Sequence, residues 1–196
     1  MNWKLKDVLM IAVCAVLFGA IFLGATYAGG ALAAVLTPVG MPSLAYEPFY
    51  GLYFMAVAFA VYVIRKPGVG IVAEITAAVI ETLMGNFFGP IIILSGFVQG
   101  LGFELVFALT KYKKFDLKLM MLASVLCSCV TMGYNLIVSG YSKIAVPVLA
   151  LMLAVRIVSA VLIDGVLTPK LADGLAKAGV LGGYAIGENM VRDPEA

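Results

Sequence analysis

The stretch VLMIAVCAVLFGAIFLGATY (residues 8–27) decides the fold class, because 20 consecutive residues carry no charge and most are apolar. An α-helix of that length is about 30 Å long, which matches the hydrocarbon core of a bilayer. The whole chain is similar: of its 196 residues, 63% are hydrophobic and only 12% are charged. Soluble domains are typically about 25% charged. The composition therefore predicts an all-α integral membrane protein and argues against soluble enzymes.

Five further apolar stretches follow, separated by charged residues or by Pro and Gly. They cover residues 49–64, 69–85, 91–110, 117–138 and 147–169. Most of them reach the roughly 17–25 residues that a transmembrane helix needs. We therefore predict six transmembrane helices in a single membrane domain, residues 1–196. Residues from about 28 to 48 are predicted to form an external lid loop, and residues 170–196 a cytoplasmic tail.

Basic residues are distributed unequally between the two sets of connecting segments. One set and the two termini contain Lys4, Lys6, Arg65, Lys66, Lys111, Lys113, Lys114, Lys118, Lys170, Lys177 and Arg192. The other set contains only Lys143. Because basic segments stay on the cytoplasmic side of a membrane, both termini are predicted to be cytoplasmic. The net charge of +2 is too small to indicate a nucleic-acid partner.

The sequence contains no residues from which we can assemble a catalytic or metal site. Histidine is absent, which excludes His-based nucleophile pairs and imidazole metal ligands. No P-loop motif is present, so the chain is not expected to bind ATP in that way. We therefore expect a protein that is not an enzyme, with no metal and no cofactor of its own.

Ionisable residues inside membrane spans are costly and usually functional. The predicted spans contain Glu74, Glu81, Glu104, Arg156 and Asp164. Glu74 lies close to Arg65 and Lys66 along the chain, so we expect it to form an ion pair with them at the membrane interface.

The buried Arg156 requires a carboxylate partner inside the bundle. Glu104 and Glu81 are both candidates at this stage. Asp164 lies two turns beyond Arg156, and Lys170 at the membrane interface is its expected partner.

Polar and aromatic residues of several spans fall at similar depth in the outer half of the predicted bundle. The predicted binding residues are Glu47, Tyr50, Tyr53, Glu81, Asn86, Gln99, Tyr134 and Asn135. Aromatic faces attract cations and stack on heterocycles, while carboxylates and amides pair with ring amines. This combination favours a flat, amine-bearing or cationic ligand. Aromatic residues near an interface also form membrane belts, which is the alternative for each of them taken singly.

The first span contains the small-residue pair Ala15 and Gly19, four residues apart. Such pairs let a second helix approach closely. The second helix is either part of the same bundle or part of a partner protein, and the sequence leaves both open.

Three short motifs resemble those of a known family. They are EPFYG (47–51), ETLMGN (81–86) and QGLGFE (99–104). With six predicted spans, the chain resembles the S components of energy-coupling factor (ECF) transporters. Within that group it is similar to the YkoE family, which is associated with thiamine and hydroxymethylpyrimidine.

The resemblance implies an import subunit in the plasma membrane of a prokaryote, a multi-pass protein that captures thiamine or hydroxymethylpyrimidine outside. It implies a membrane coupling T component and two cytoplasmic ATPase subunits as partners, besides membrane lipid. Glu81, Gln99 and Asn135 would then read the pyrimidine, the tyrosines would stack, and Glu47 would close the lid.

The resemblance also places docking on helix 1, with Ala15 and Gly19 as the residues that match. The usual Ala-x-x-x-Ala pattern is not kept, because Val16 follows Ala12 after four residues. Metal-transporting relatives need an N-terminal His, and position 2 is Asn2.

Two other classes of function compete with this one. A proton-coupled secondary transporter of a small polar or cationic metabolite would use Glu81 and Glu104 as proton carriers. A small intramembrane enzyme would turn its substrate over.

Overall fold

The computed structural model describes residues 3–187, and every regular element in that range is helical. The α-helices are α1 (Leu5–Leu36), α2 (Tyr50–Tyr53), α3 (Met55–Ile64), α4 (Val69–Leu83), α5 (Ile91–Leu109), α6 (Leu117–Val138), α7 (Val146–Ala160) and α8 (Thr168–Lys177). 3-10 segments cover Thr37–Val39, Pro42–Phe49 and Tyr141–Lys143, and a π-helical segment, Val161–Leu167, joins α7 to α8. Five helical segments of this part of the chain are long and apolar enough to cross a membrane, as expected for a multi-pass membrane protein.

Of the predicted spans, the third is shorter in the structure than the bilayer core requires. It forms α4, which has 15 residues and is therefore about 22 Å long, less than the bilayer core. Helix α6 occupies the predicted residues 117–138, and Asp116 caps it by accepting a hydrogen bond from the Leu119 backbone at 2.8 Å. The all-helical fold is confirmed, whereas the number of six spans stays a prediction.

The prediction that residues 28–48 form a loop is wrong for most of that range, whereas their role as an external lid stays a prediction. Helix α1 continues to Leu36, and a 3-10 segment covers Pro42–Phe49. The helix continues because the residues after Tyr27 are small and apolar and contain no proline before Pro38. Gly29 lets the 3-10 segment approach α1 closely, since a Cβ there would lie 2.5 Å from the Tyr46 ring.

The prediction of a tail from residue 170 is also wrong as far as the structure describes it. The last helix continues through the π-helical segment to Lys177, and Leu181 and Ile186 are buried. Pro169 does not end this helix because it follows the π-helical turn, whose hydrogen bonds already depart from the α pattern. Residues 188–196 of the predicted tail lie outside the described residues.

One end of the bundle brings together the first and last described residues and the basic segments. The Trp3 indole donates to the Pro67 carbonyl at 3.3 Å, and the Tyr184 hydroxyl donates to the Lys6 carbonyl at 2.8 Å. The Arg65 guanidinium lies 5.0 Å from the centre of the Phe115 ring. The first and last described residues therefore lie at the same end of the bundle. That this end is cytoplasmic stays a prediction.

Candidate functional site

A cavity of about 500 Å³ lies at the opposite end of the bundle from the basic segments. Its walls come from the C-terminal halves of α1, α4 and α6, the N-terminal half of α5, and the 3-10 segment with α2. A volume of this size is typical of small-molecule sites.

Seven aromatic side chains among the described residues line the cavity. They are Phe22, Tyr46, Tyr50, Tyr53, Phe88, Tyr134 and Tyr141. The rings of Tyr50 and Tyr53 meet edge to face with centroids 5.7 Å apart, and Phe22 meets Tyr53 in the same way at 6.0 Å. Contacts of this kind hold the rings in fixed orientations, so a flat ligand would meet preformed aromatic faces.

Glu81 is the only residue with a formal charge among the described residues that line the cavity. Its Oε1 accepts hydrogen bonds from the Thr26 hydroxyl at 2.8 Å and from the Asn86 amide. Thr26 also lies 3.1 Å from the Tyr53 hydroxyl. The second oxygen, Oε2, accepts no hydrogen bond from the described residues and is the one left for a ligand.

The Gln99 side chain lines the cavity and is anchored from behind by Glu74. One atom of its amide lies 2.9 Å from Glu74 Oε1 and 3.2 Å from the Tyr53 carbonyl oxygen, and we assign it as the nitrogen because an oxygen there would face only acceptors. Glu74 is completely buried, and its Oε2 accepts from the Val57 backbone at 2.8 Å. The predicted interfacial pair of Glu74 with Arg65 and Lys66 is therefore wrong, since Glu74 packs between α3 and α5 instead.

Tyr50 is held on both sides by polar groups. The Asn135 amide donates to its hydroxyl, and the Arg156 guanidinium lies 3.5 Å from the centre of its ring. The Ser139 hydroxyl donates to Asn135 Oδ1 at 3.3 Å. Arg156 is completely buried and does not line the cavity, whereas the Tyr50 ring against which its guanidinium lies does.

Arg156 pairs with Glu47. The two candidates predicted from the sequence, Glu104 and Glu81, are not its partners. The Glu47 carboxylate accepts from Arg156 Nε at 2.6 Å and from Nη2 at 2.8 Å. Tyr141 donates to the same carboxylate at 3.3 Å, and burial raises the pKa of this tyrosine, which therefore keeps its proton. Glu47 is completely buried and is not part of the cavity wall, so its predicted role in closing a lid is not what the structure shows.

Glu104 belongs to the basic end of the bundle rather than to the cavity. Its carboxylate accepts from the backbone of Gly68 and, at 3.0 Å, of Ile71, which are the first amides of α4. Tyr112 donates to it at 2.8 Å, and burial raises the pKa of Tyr112. The residue therefore caps the N-terminus of α4.

Three comparisons relate this chain to known proteins. A family model described as "ABC-type cobalt transport system, permease component" matches residues 6–130. The chain matches a solved structure described as an S-component of ECF transporter, with a TM-score of 0.93 and 39% identity over 99% of this chain and 96% of that one.

A curated relative narrows the family further. The chain is 40% identical over 189 residues to YkoE of Bacillus subtilis (strain 168), covering 96% of this chain and 92% of the relative. That relative's name describes it as a candidate HMP/thiamine permease protein. The chain belongs to the YkoE family of S components. It is accordingly a membrane transport subunit and not an enzyme.

Cobalt appears in the description of the family model alone. In residues 3–187 of this S component, no group of three or more His, Cys, Asp or Glu side chains is placed to hold a metal ion.

Six of the eight predicted binding residues of this S component line the cavity, and two do not. Glu47 pairs with Arg156, and Asn86 lies behind Glu81, to which it donates. Whether the six bind a ligand stays a prediction.

Several residues on the cavity wall were not among the predicted binding residues, including Phe22, Thr26, Phe88 and Tyr141. The sequence does contain an indication for Thr26, because its hydroxyl lies close to the end of an otherwise apolar span.

The predicted docking pair faces the inside of this S component. Ala15 and Gly19 are buried, and a Cβ at Gly19 would lie 2.9 Å from the Ala77 carbonyl of α4. The pair therefore serves close packing between α1 and α4, the bundle alternative that the sequence had left open. The outer face of α1 instead exposes Ala20 and Gly24.

Proposed function

We propose that this S component captures thiamine or its precursor hydroxymethylpyrimidine in the aromatic cavity. The observation that carries the proposal is the combination of seven aromatic rings with a single carboxylate, Glu81, on the described cavity wall. The permease name of the 40% identical relative supports the same ligands.

The chemistry of these ligands matches the wall. A pyrimidine is flat and stacks on tyrosine and phenylalanine rings, and the positive ring of thiamine is attracted by aromatic faces. The exocyclic amine of the pyrimidine donates hydrogen bonds, for which Glu81 Oε2 is an acceptor without a protein partner in the described range. Asn135 and Tyr134 lie on the same wall and are the next candidates for contact.

We propose further that the cavity faces the outside of a prokaryotic plasma membrane. The positive-inside rule assigns the basic end, with Arg65 and Lys66, to the cytoplasm, and the cavity lies at the other end. Energy for release would come from two cytoplasmic ATPase subunits through a T component. The exposed face of α1 is the surface on which we place that contact, since its Ala20 and Gly24 allow close approach.

Isothermal titration of the detergent-solubilised protein with thiamine tests the proposed ligand, with biotin and riboflavin as controls. We expect tight binding of thiamine alone. Glu81→Ala and Gln99→Ala should each weaken binding by about 1–3 kcal/mol, the cost of one lost buried hydrogen bond. Unchanged affinity in both variants, with normal folding, would remove this site from consideration.

The competing proton-coupled transporter has less support, because Glu81 and Glu104 lie at opposite ends of the bundle. Uptake into sealed vesicles distinguishes the two functions. Accumulation of thiamine by this chain without ATPases, driven by a proton gradient, would favour the secondary transporter over the S component mechanism.

A further inference from the structure

We propose that Glu74 is a positioning residue that fixes which way the Gln99 amide faces, so that the cavity presents hydrogen-bond acceptors and selects ligands by an N–H donor. The inference rests on the proposed function. It concerns a residue that is completely buried behind the cavity and is not part of its wall.

The orientation of Glu74 is set by the backbone. The Val57 amide can only donate, and it donates to Glu74 Oε2 at 2.8 Å. The other oxygen, Oε1, lies 2.9 Å from the Gln99 amide nitrogen. A carboxylate placed in this way accepts on both sides, one bond from the backbone and one from the side chain.

A second acceptor reinforces the orientation of Gln99. The backbone carbonyl of Tyr53 can only accept, and it lies 3.2 Å from the same amide nitrogen. With its nitrogen occupied by Glu74 and Tyr53, the amide keeps its carbonyl oxygen as the remaining polar atom. Gln99 lines the cavity, and its carbonyl oxygen, which has two lone pairs, is the acceptor that this amide can offer a ligand there.

Glu81 adds a second acceptor to the same wall. Its Oε1 is occupied by Thr26 and Asn86, which leaves Oε2 for a ligand. Two acceptors favour a ligand with an exocyclic amine. A ligand with a carbonyl oxygen in the same place would set acceptor against acceptor, which we expect to lower affinity by about 10- to 100-fold.

Titration with two ligands tests this selection in the wild-type protein. They are thiamine and the analogue in which a carbonyl oxygen replaces the exocyclic amine of the pyrimidine. We expect the wild type to prefer thiamine by about tenfold or more. Equal affinity for both would overturn the inference and leave the proposed function standing. If neither ligand binds, the proposed function fails, and this inference fails with it.

Glu74→Gln tests the positioning role. The new amide at position 74 must turn its oxygen to the Val57 N–H, so its NH2 group meets the nitrogen of Gln99. Only the Tyr53 carbonyl then favours the original orientation of Gln99, so we expect both orientations of its amide to be populated and the preference for thiamine to fall. If Glu74 has a merely structural role, Glu74→Gln should weaken the binding of both ligands equally. An unchanged ratio of the two affinities would overturn the proposal.

Glu104→Gln is the matched control, because Glu104 is also buried and also accepts from backbone amides, but lies far from the cavity. We expect the ratio of the affinities for thiamine and for the analogue to be the same in Glu104→Gln as in the wild type. A shift of this ratio equal to that of Glu74→Gln would contradict a local role for Glu74. Should Glu74→Gln not fold, Glu74→Asp replaces it, since the shorter carboxylate cannot hold both Val57 and Gln99. An unchanged ratio in that variant overturns the proposal as well.

Discussion

The carboxylate of Glu47 and the guanidinium of Arg156 form a bidentate ion pair, with distances of 2.6 Å to Nε and 2.8 Å to Nη2, and both side chains are completely buried. The pair joins the 3-10 segment Pro42–Phe49 to α7. Ser159 strengthens the same junction by donating to the Pro48 carbonyl at 2.6 Å. The ion pair thus holds the segment that contributes Tyr46 and Tyr50 to the cavity.

Glu47→Ala is expected to destabilise the protein strongly. It leaves the charge of Arg156 buried without a counter-ion, which typically costs about 3–5 kcal/mol. The midpoint of thermal unfolding in detergent measures the effect. Combining Glu47→Ala with Arg156→Met removes both charges, so the double variant should be more stable than Glu47→Ala alone. A double variant as unstable as the sum of the two single ones would contradict a direct coupling.

Thr26→Val is expected to weaken thiamine binding by about threefold to tenfold, because one hydrogen bond that orients Glu81 is lost. Thr26 donates to Glu81 Oε1 at 2.8 Å, and valine keeps the shape of the side chain. Thr76→Val is the matched control, since Thr76 donates to the Val72 carbonyl of its own helix and does not line the cavity. Titration of both variants is the measurement. Equal losses in the two would show that the effect of Thr26 is not local.

The sequence allowed prediction of much of the cavity wall because depth in a membrane is a one-dimensional quantity. The position of a residue along a span of known direction gives its height, and Glu81, Gln99 and Tyr134 were placed in one layer in this way. Height in the membrane does not tell which side of a helix faces which neighbouring helix. The partner of Arg156 was therefore missed, since Glu47 lies 109 residues away along the chain and on a segment predicted to be a loop.

The ends of the helices were the least predictable part of the fold. Helix α1 continues to Leu36 and the last helix to Lys177, because apolar residues and packing partners follow the points where composition indicated an end. Glu74 illustrates the same limit for charges. The charged residues that precede it along the chain, Arg65 and Lys66, are basic, but the helix directs Glu74 into the core, where it contacts the Val57 amide and Gln99 instead.

Gly19→Ala is expected to lower the stability of the protein, whereas Gly24→Ala is not. A Cβ at Gly19 would lie 2.9 Å from both the Ala77 carbonyl and Ile80 Cγ2, so we expect a loss of about 1–3 kcal/mol. A Cβ at Gly24 would have nothing within 4 Å, and alanine favours the helix, so stability should stay equal or rise. Thermal unfolding of the two variants in detergent compares them directly. Equal stability of both would mean that α1 and α4 separate without cost.

Asp164→Leu is expected to stabilise the protein. Asp164 is completely buried in the π-helical segment, and neither of its carboxylate oxygens has a hydrogen-bond partner among the described residues. The predicted pairing with Lys170 is therefore wrong. A buried polar group without a partner costs about 1–3 kcal/mol, and leucine has the same branching with methyl groups in place of the two oxygens. Asp164→Asn is the control, because it keeps a polar group in place and should gain less. The unfolding midpoints of both variants decide the matter: a lower midpoint for Asp164→Leu than for the wild type would show that the carboxylate contributes to stability.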